Sequence, residues 1–553
     1  MNTSHDEPSS SHGKGHDLTR LNTEEQTARD IADLAALGHS ETLSRKFNKW
    51  SMLSLAFCVL GTWTTNSQSF ATGLNNGGPL TILWGLALVL VCNLCVAFSL
   101  GELTSSMPTA LGQAYWIIRI WDSKWSRFVS YMCAWINTFG WWTLTASQNA
   151  FMTDFLLEMK VMFDPDWDGV NKGWVKFLIY IGITVAFTAF NHVACRDDRI
   201  LPWFNNFVAV GFVALFVAMS LALPIAVGTR DGKHFQTPQF VFGGWINNTG
   251  WPNGVAFLLG LAQSAYGLTA FDSVIHMVEE IPAPRKNVPL VMNLSIICGA
   301  VSGWLFMVVC LFCIQDVDEL TNSDSNVPWV QLVQDAVGLE GAAVFISLFI
   351  FNGFGQGISI LTSSSRLTWS FARDGGMPFF NYFSFVDKGW NVPVRALWLQ
   401  AGIVSIVGVL YLFSSTVLSA IFSVSTIALT ISYAMPITVV FLQGTSCLPP
   451  GGEFSMGRWA PVVNIVALAY CAVTTVFFFF PGSPDPSTED MNYAIAVFGV
   501  MIVISLIFWF TKGNKSYMQD EHMAQILYAD ATHSDTQEPL DPVTPENGKV
   551  GVV

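Results

Sequence analysis

Asp272, His276, Glu279 and Glu280 stand at i, i+4, i+7 and i+8 in the sequence, a spacing that places all four on one face of a helix. An acid among them could supply the negative field for a cation or exchange a coupled proton. Acids at membrane depth face a cavity or a partner, because hydrocarbon does not solvate them. Asp272, the deepest of the four in its apolar segment, is the candidate for substrate binding. His276, Glu279 and Glu280 are candidates for coupling or gating, and for the two glutamates an ion pair with Arg or Lys of a neighbouring loop is the competing reading. Glu102, at the end of another apolar run, carries the same two readings, while Asp154 reads as a solvated residue near the outer end of a third.

Two polar stretches interrupt apolar segments where lipid-facing helices would stay apolar. The first runs Gly61-Thr62-Trp63-Thr64-Thr65-Asn66-Ser67-Gln68-Ser69, and the second Gln263-Ser264-Ala265-Tyr266-Gly267-Leu268-Thr269. Irregular backbone at membrane depth is tolerated only against protein or a water-filled cavity, and interruptions at matching positions of two repeats point to a transporter site at the midplane. Small and hydroxyl residues at helix contacts are the alternative explanation. The substrate-site candidates are Gly61, Trp63 and Thr64 from the first stretch, and Ala265, Tyr266 and Gly267 from the second, with Phe271 beside Asp272. Trp135, Phe139 and Trp142 form a stripe at helical spacing with Trp141 next to it. Convergent aromatic faces are what a quaternary ammonium ion requires, since it is held by cation–π attraction, although such a stripe is more often packing or lipid contact. Asn352 and the hydroxyl run Thr362 to Ser365 could line a cavity. Gly353-Phe354-Gly355-Gln356-Gly357 reads as close helix approach, because no strand precedes it.

These residues need elements that cross a membrane. The chain of 553 residues is 52% apolar and only 12% charged, against about 25% charged in soluble domains. Twelve apolar segments are long enough to span, since about 20 residues suffice. They lie near 50–71, 79–100, 125–157, 173–194, 203–227, 253–278, 290–314, 338–369, 396–413, 416–442, 460–480 and 491–511. With the N-terminus in the cytosol, 21 of the 26 Lys and Arg fall on the inner side, as positive-inside orientation requires. Asn247-Asn248-Thr249, a glycosylation sequon, then falls outside. The expected organisation is a largely disordered cytoplasmic tail (1–49), a transporter body (50–511) and a cytoplasmic C-terminal tail (512–553). Within the body, repeats over 50–227 and 253–442 precede two extra spans.

Composition also excludes. The net charge of −14 and the lack of a basic block argue against a nucleic-acid partner. The polar start of the chain has no apolar core segment of the kind a cleavable signal peptide needs. Cys92/Cys95 and Cys310/Cys313 have metal-like spacing, but zinc takes four ligands, so no metal or other cofactor is expected. No catalytic constellation is visible, and an enzyme is not expected.

Several motifs occur together: Gly73-Leu74-Asn75-Asn76-Gly77-Gly78-Pro79, Gly101-Glu102-Leu103-Thr104-Ser105-Ser106-Met107-Pro108, Ala270-Phe271-Asp272, Glu279-Glu280-Ile281-Pro282-Ala283-Pro284-Arg285-Lys286-Asn287-Val288-Pro289, and Ser364-Ser365-Arg366 followed by Ala372-Arg373-Asp374-Gly375-Gly376-Met377-Pro378. With them the chain, from about 40 to 512, resembles the amino acid, polyamine and organocation transporter superfamily. Within it, the similarity is to the fungal branch of choline, 4-aminobutyrate and amino acid permeases. The resemblance implies an all-α integral membrane fold of twelve helices, a LeuT-like five-plus-five inverted repeat with helices one and six broken around the substrate. It also implies alternating access and secondary, proton-coupled uptake at the plasma membrane, so that the partners are the lipid bilayer, protons and a small cationic or zwitterionic substrate. The first break departs from the amino acid carriers of that group, which expose free backbone N–H groups to a carboxylate. Here Trp63 follows Gly61-Thr62, which favours a cation without a carboxylate, such as choline or ethanolamine. Span five carries no Lys of the kind some members use for proton coupling; Asn205 and Asn206 are its inner polar residues. A 4-aminobutyrate or other amino acid permease is the alternative, and a nutrient sensor that keeps the fold without transporting is a third reading.

Overall fold

The computed structural model describes residues 12–518, apart from 324, 326, 388–391, 414 and 488–490, and side chains from residue 24 onward except within 415–422. The C-terminal tail beyond 518 lies outside the described residues. The described chain is helical, with no strand and only isolated bridges, Asn76 to Asn247 and Asp387 to Val392.

The helices that bear on the site are, in chain order, α1 (His12–Ala36), α2 (Lys49–Leu60), α3 (Thr62–Gln68), α4 (Leu86–Ser106), α5 (Gln113–Ile120), α6 (Ser126–Phe163), α7 (Gly173–Ala194), α8 (Ile200–Thr229), α9 (Asn253–Gly267), α10 (Ser273–His276), α11 (Pro284–Cys313), α12 (Pro328–Arg373), α13 (Val394–Gly408), α14 (Ser415–Gln443), α15 (Ala460–Phe477) and α16 (Ala494–Phe508). Among the described residues, nine helices are long and apolar enough to cross a membrane. The first, third and sixth expected segments are the ones outside that group. The first and sixth are broken into short pieces, and the third, α6, is a continuous helix made polar along one side by Asn137, Thr138, Thr145, Gln148 and Asn149. Several of those groups bond internally: Thr138 and Thr145 bond the carbonyls of Ala134 and Trp141, and Asn149 donates to Thr184 of α7 at 2.9 Å. α12 begins ten residues before the expected span and is interrupted at Gly338 (φ 76°, ψ 171°).

α6 is central, packed between α12 and α14, while α11 packs along α4 and α2. Facing outward, α8 exposes Trp203, Phe207, Val210, Val213, Val217, Leu221 and Ile225, an apolar face of an extent suited to lipid rather than water.

The N-terminal segment departs from the expected disorder. It is helical over α1, and its later residues pack on the nearest end of the bundle, because Leu34, Leu37, Leu43 and Phe47 are apolar enough to bury. Ion pairs flank them: Asp33 with Arg285 at 2.7 Å, and Asp30 with Arg45. Phe47 N–H donates to the Glu280 carbonyl at 3.0 Å, tying the segment to the end of the sixth expected span.

Candidate substrate and coupling site

Both polar stretches produce backbone breaks. α2 ends and α3 begins at Gly61, whose left-handed φ of 46° suits a residue without a Cβ. Gly61 also has no room for one, since a Cβ there would lie 2.5 Å from Nε2 of Gln356 on α12. That Gln356 amide sits across the break. Its Oε1 accepts from Thr64 Oγ1 at 3.3 Å, and its nitrogen lies 3.4 Å from the Val59 carbonyl, while Thr64 also donates to the Gly61 carbonyl at 2.7 Å. Sequence reasoning assigned the Gly-rich run around Gln356 to helix contact and missed this role. The only signal was a polar side chain among glycines in an apolar span.

The second break runs from Leu268 to Asp272, with Ala270 at φ 63°. Ala265 and Gly267 close α9 and are buried, and Gly267 lies so close to Asn66 of α3 that no side chain would fit. Gln263 Nε2 donates to the Asn66 carbonyl at 2.8 Å, so the two breaks touch each other.

Past this break the chain makes only one turn, α10, before a 3-10 turn over Val278–Glu280. The single helical face expected for the four titratable residues is therefore cut in two. Asp272 and His276 meet, with Oδ2 to Nε2 at 3.0 Å and both side chains fully enclosed. Glu279 instead pairs with Arg373 at 2.9 Å, and Glu280 with the buried Arg366 at 2.8 Å. Ion pairs stand as the alternative to a gating role, expected with a neighbouring loop; here both arginines belong to α12. Glu102 accepts from Ser455 Oγ at 2.7 Å and from the Met456 amide at 3.0 Å, anchoring the loop before α15.

Asp272 collects donors from three other segments. Gln113 Nε2 of α5 lies 2.9 Å from Oδ2, Trp141 Nε1 of α6 lies 3.4 Å from the same oxygen, and Tyr433 OH of α14 lies 2.7 Å from Oδ1. Phe271 packs against Tyr433 with ring centroids 5.0 Å apart, and Trp141 is edge-on to His276 at 5.6 Å. Gln113, Asn137 and Tyr433 went unrecognised in the sequence. Each is an ordinary residue of its own helix until the fold brings it to Asp272.

The aromatic candidates divide. Trp141 faces Asp272. Trp142, one residue on, points elsewhere and donates to Thr368 Oγ1 at 3.0 Å, stacked edge-on with Phe139 at 5.3 Å. Tyr266 bonds Ser147 Oγ at 2.6 Å and lies edge-on to Phe151. Trp63 does not join these rings. It is enclosed by Phe212 of α8, Phe306 of α11 and Phe349 of α12 at 4.9 to 5.9 Å, all edge-on, so in this conformation its faces go to packing. Asn352 bonds the Leu348 carbonyl of its own helix at 3.1 Å and abuts Gly211 of α8, away from Asp272. Among the described residues, no three His, Cys, Asp or Glu side chains are placed to hold a metal.

The family model described as amino acid permease matches residues 47–506. The chain is 28% identical to a choline transporter of Saccharomyces cerevisiae over 86% of this chain and 83% of that protein. It is 28% identical to amino-acid permease 2 of Neurospora crassa, over 88% of each. A GABA-specific permease of Saccharomyces cerevisiae is 27% identical over 93% of this chain and 91% of its own.

Proposed function

Because the chain belongs to the amino acid permease family, and is thus a multi-pass membrane transporter rather than an enzyme, we propose that it imports choline or a related alkanolamine such as ethanolamine. Transport is by alternating access across the plasma membrane, with both termini cytoplasmic, helices one and six broken around the substrate, and protons as the coupling ion. The observation that carries this reading is Asp272, a fully buried carboxylate at the second break with Trp141, Phe271 and Tyr433 around it. A buried acid beside aromatic rings favours an organic cation, through its field and through cation–π attraction. A site for a free carboxylate would instead be built on spare N–H donors, and the second break presents Asp272 rather than such a set. The relative named as a choline transporter agrees with this choice.

A second reading, transport of 4-aminobutyrate or another amino acid, is favoured by the extent of the similarity to the GABA-specific permease. Uptake of labelled choline into a host lacking its own choline carrier separates the two. Saturable uptake competed by ethanolamine and not by amino acids is expected. Competition by amino acids with none by choline rejects the alkanolamine reading.

A further inference from the structure

Lys512 lies on the turn that follows α16, Trp509–Gly513, and its ammonium stands 5.5 Å from the centre of the Phe379 ring. Among the described residues it makes no ion pair. Other cations at this end of the bundle also lie over rings: Lys124 over Trp125, Arg395 over Tyr382 and Phe385, and Arg458 over Trp459. Aromatic rings and cations collected at one level mark the boundary between membrane and water.

Beside Lys512 a cavity of about 200 Å³ opens between the end of α16, the loop after α12 and the first turns of α6. Met377, Pro378, Phe379 and Phe508 give it apolar walls, and Tyr131 of α6 also lines it, packed so closely on Gly513 that no side chain would fit at 513. Two hydroxyls line it as well, but their hydrogens are committed. Thr511 donates to the Ile507 carbonyl at 2.8 Å, and Ser516 to the Gly375 carbonyl at 2.8 Å. Lys512 is the one charged residue among those that line the cavity, and the nearby Asp374 is turned to Arg373 at 3.5 Å. A negatively charged group entering here meets one cationic side chain among apolar ones.

The cavity continues an apolar surface. Val500, Val503 and Ile507 are exposed along α16, and beyond them Phe510 and Phe379 are 71% and 72% exposed. Apolar surface of that extent marks contact with lipid or a partner, and on a helix long and apolar enough to cross a membrane hydrocarbon chains cover it. Lys512 stands where the stripe ends, two residues after Phe510. A molecule with long apolar tails and a negative head matches this order of surfaces, whereas a soluble anion would use Lys512 alone. The same ground holds the end of the described chain: Met518 N–H donates to the Asp374 carbonyl at 3.1 Å, and Arg127 Nε to the Tyr517 carbonyl at 2.7 Å. An occupant touching both Lys512 and Phe379 therefore joins the last span to the loop after α12.

We propose that this cavity is a site for an anionic phospholipid, with its headgroup at Lys512 and its acyl chains along Phe379, Phe510 and Ile507. The cytoplasmic leaflet, where membranes carry their anionic lipids, follows from the cytoplasmic termini proposed above. The headgroup site itself depends neither on that orientation nor on the transported substrate.

The test uses the purified full chain in neutral detergent, with retention of dioleoyl phosphatidylserine and dioleoyl phosphatidylcholine measured by native mass spectrometry. Phosphatidylserine should be held about fivefold more tightly than phosphatidylcholine, the effect of one Lys near an anionic headgroup. Lys512→Gln should bring the two lipids to equal affinity, and Lys512→Arg should keep the preference. Lys512 is exposed, so both variants are expected to fold. Phe379→Ala should weaken both lipids alike. Equal retention of the two lipids by the wild-type chain, a preference unchanged in Lys512→Gln, or lipid binding unaffected by Phe379→Ala overturns the site. Displacement of phosphatidylserine by an equal concentration of inorganic phosphate makes a free anion the occupant and overturns the lipid assignment.

Discussion

Asp272 Oδ2 and His276 Nε2 lie 3.0 Å apart, four residues apart in the chain, and neither side chain is reached by solvent. Asn at 272 would keep the size of the side chain and remove its charge. Asp272→Asn should therefore reduce choline uptake sharply while the protein still reaches the cell surface. Wild-type uptake with an unchanged pH profile in that variant would remove Asp272 from the mechanism.

Rings that face the acid and rings that pack should respond differently to Leu. Trp141→Leu removes an aromatic ring whose N–H points at Asp272, and one favourable ring contributes roughly 0.5 to 2 kcal/mol. Choline binding should weaken by about threefold to thirtyfold. Trp63→Leu opens space between Phe212, Phe306 and Phe349. It should lower thermal stability by about 2 kcal/mol or more and leave the affinity of the surviving protein unchanged. A tenfold affinity loss with normal stability at Trp63 would contradict the packing assignment.

Gly61→Ala meets two obstacles at once. The left-handed backbone costs a residue with a Cβ roughly 1 to 2 kcal/mol, and the new atom strikes the Gln356 amide. Uptake should be lost, and adding Gln356→Ala should relieve the contact without relieving the backbone. Expression of the double variant is expected to recover only in part; full recovery of expression and uptake would show that backbone conformation at 61 is unimportant.

Arg366 is buried with Glu280 as its ion-pair partner. Glu280→Gln should therefore destabilise by about 3 to 5 kcal/mol, because a buried charge is left uncompensated. Adding Arg366→Gln should recover most of that loss, read as monodisperse protein after detergent extraction. Equal yields of the single variant and wild type would show that the pair is dispensable.

Asp374 follows α12, and its carboxyl is pushed up to about 6, chiefly by burial, against the opposing pull of Arg373. An acid whose folded value is raised binds its proton more readily folded than unfolded. Stability should thus rise as pH falls through about 6 toward the ordinary carboxylate range, and decline as pH rises through that window. Asp374→Asn should flatten this step in a melting series. An identical pH dependence in the variant would place the titrating group elsewhere.

Much of the architecture was legible because its causes are local. Runs of about 20 apolar residues must be helices in lipid, so the segment at 173–194 agrees with α7 to the residue. Gly61 and the polar run after it, and the Gly267-Leu268-Thr269 interruption, were visible as breaks because unsatisfied backbone cannot face hydrocarbon. That Asp272 and His276 lie on one side followed from helical spacing over a single turn, which survives even where the helix does not continue; that they bond each other is what the structure adds. Extending that periodicity to Glu279 and Glu280 failed, since a 3-10 turn rotates them toward Arg373 and Arg366.

Tertiary structure alone decided which neighbours these residues meet. Gln113, Trp141 and Tyr433 reach Asp272 from 159, 131 and 161 residues away, and no periodicity within one segment encodes a contact between segments. The same holds for Trp63, whose type suggested a cation's face and whose position on α3 turns it into a cluster of phenylalanines. Residue type and spacing set what a side chain can do and which way it leaves its own helix. The packing of helices far apart in the chain sets what it finds there, and for Asp272 that is a set of donors from Gln113, Trp141 and Tyr433.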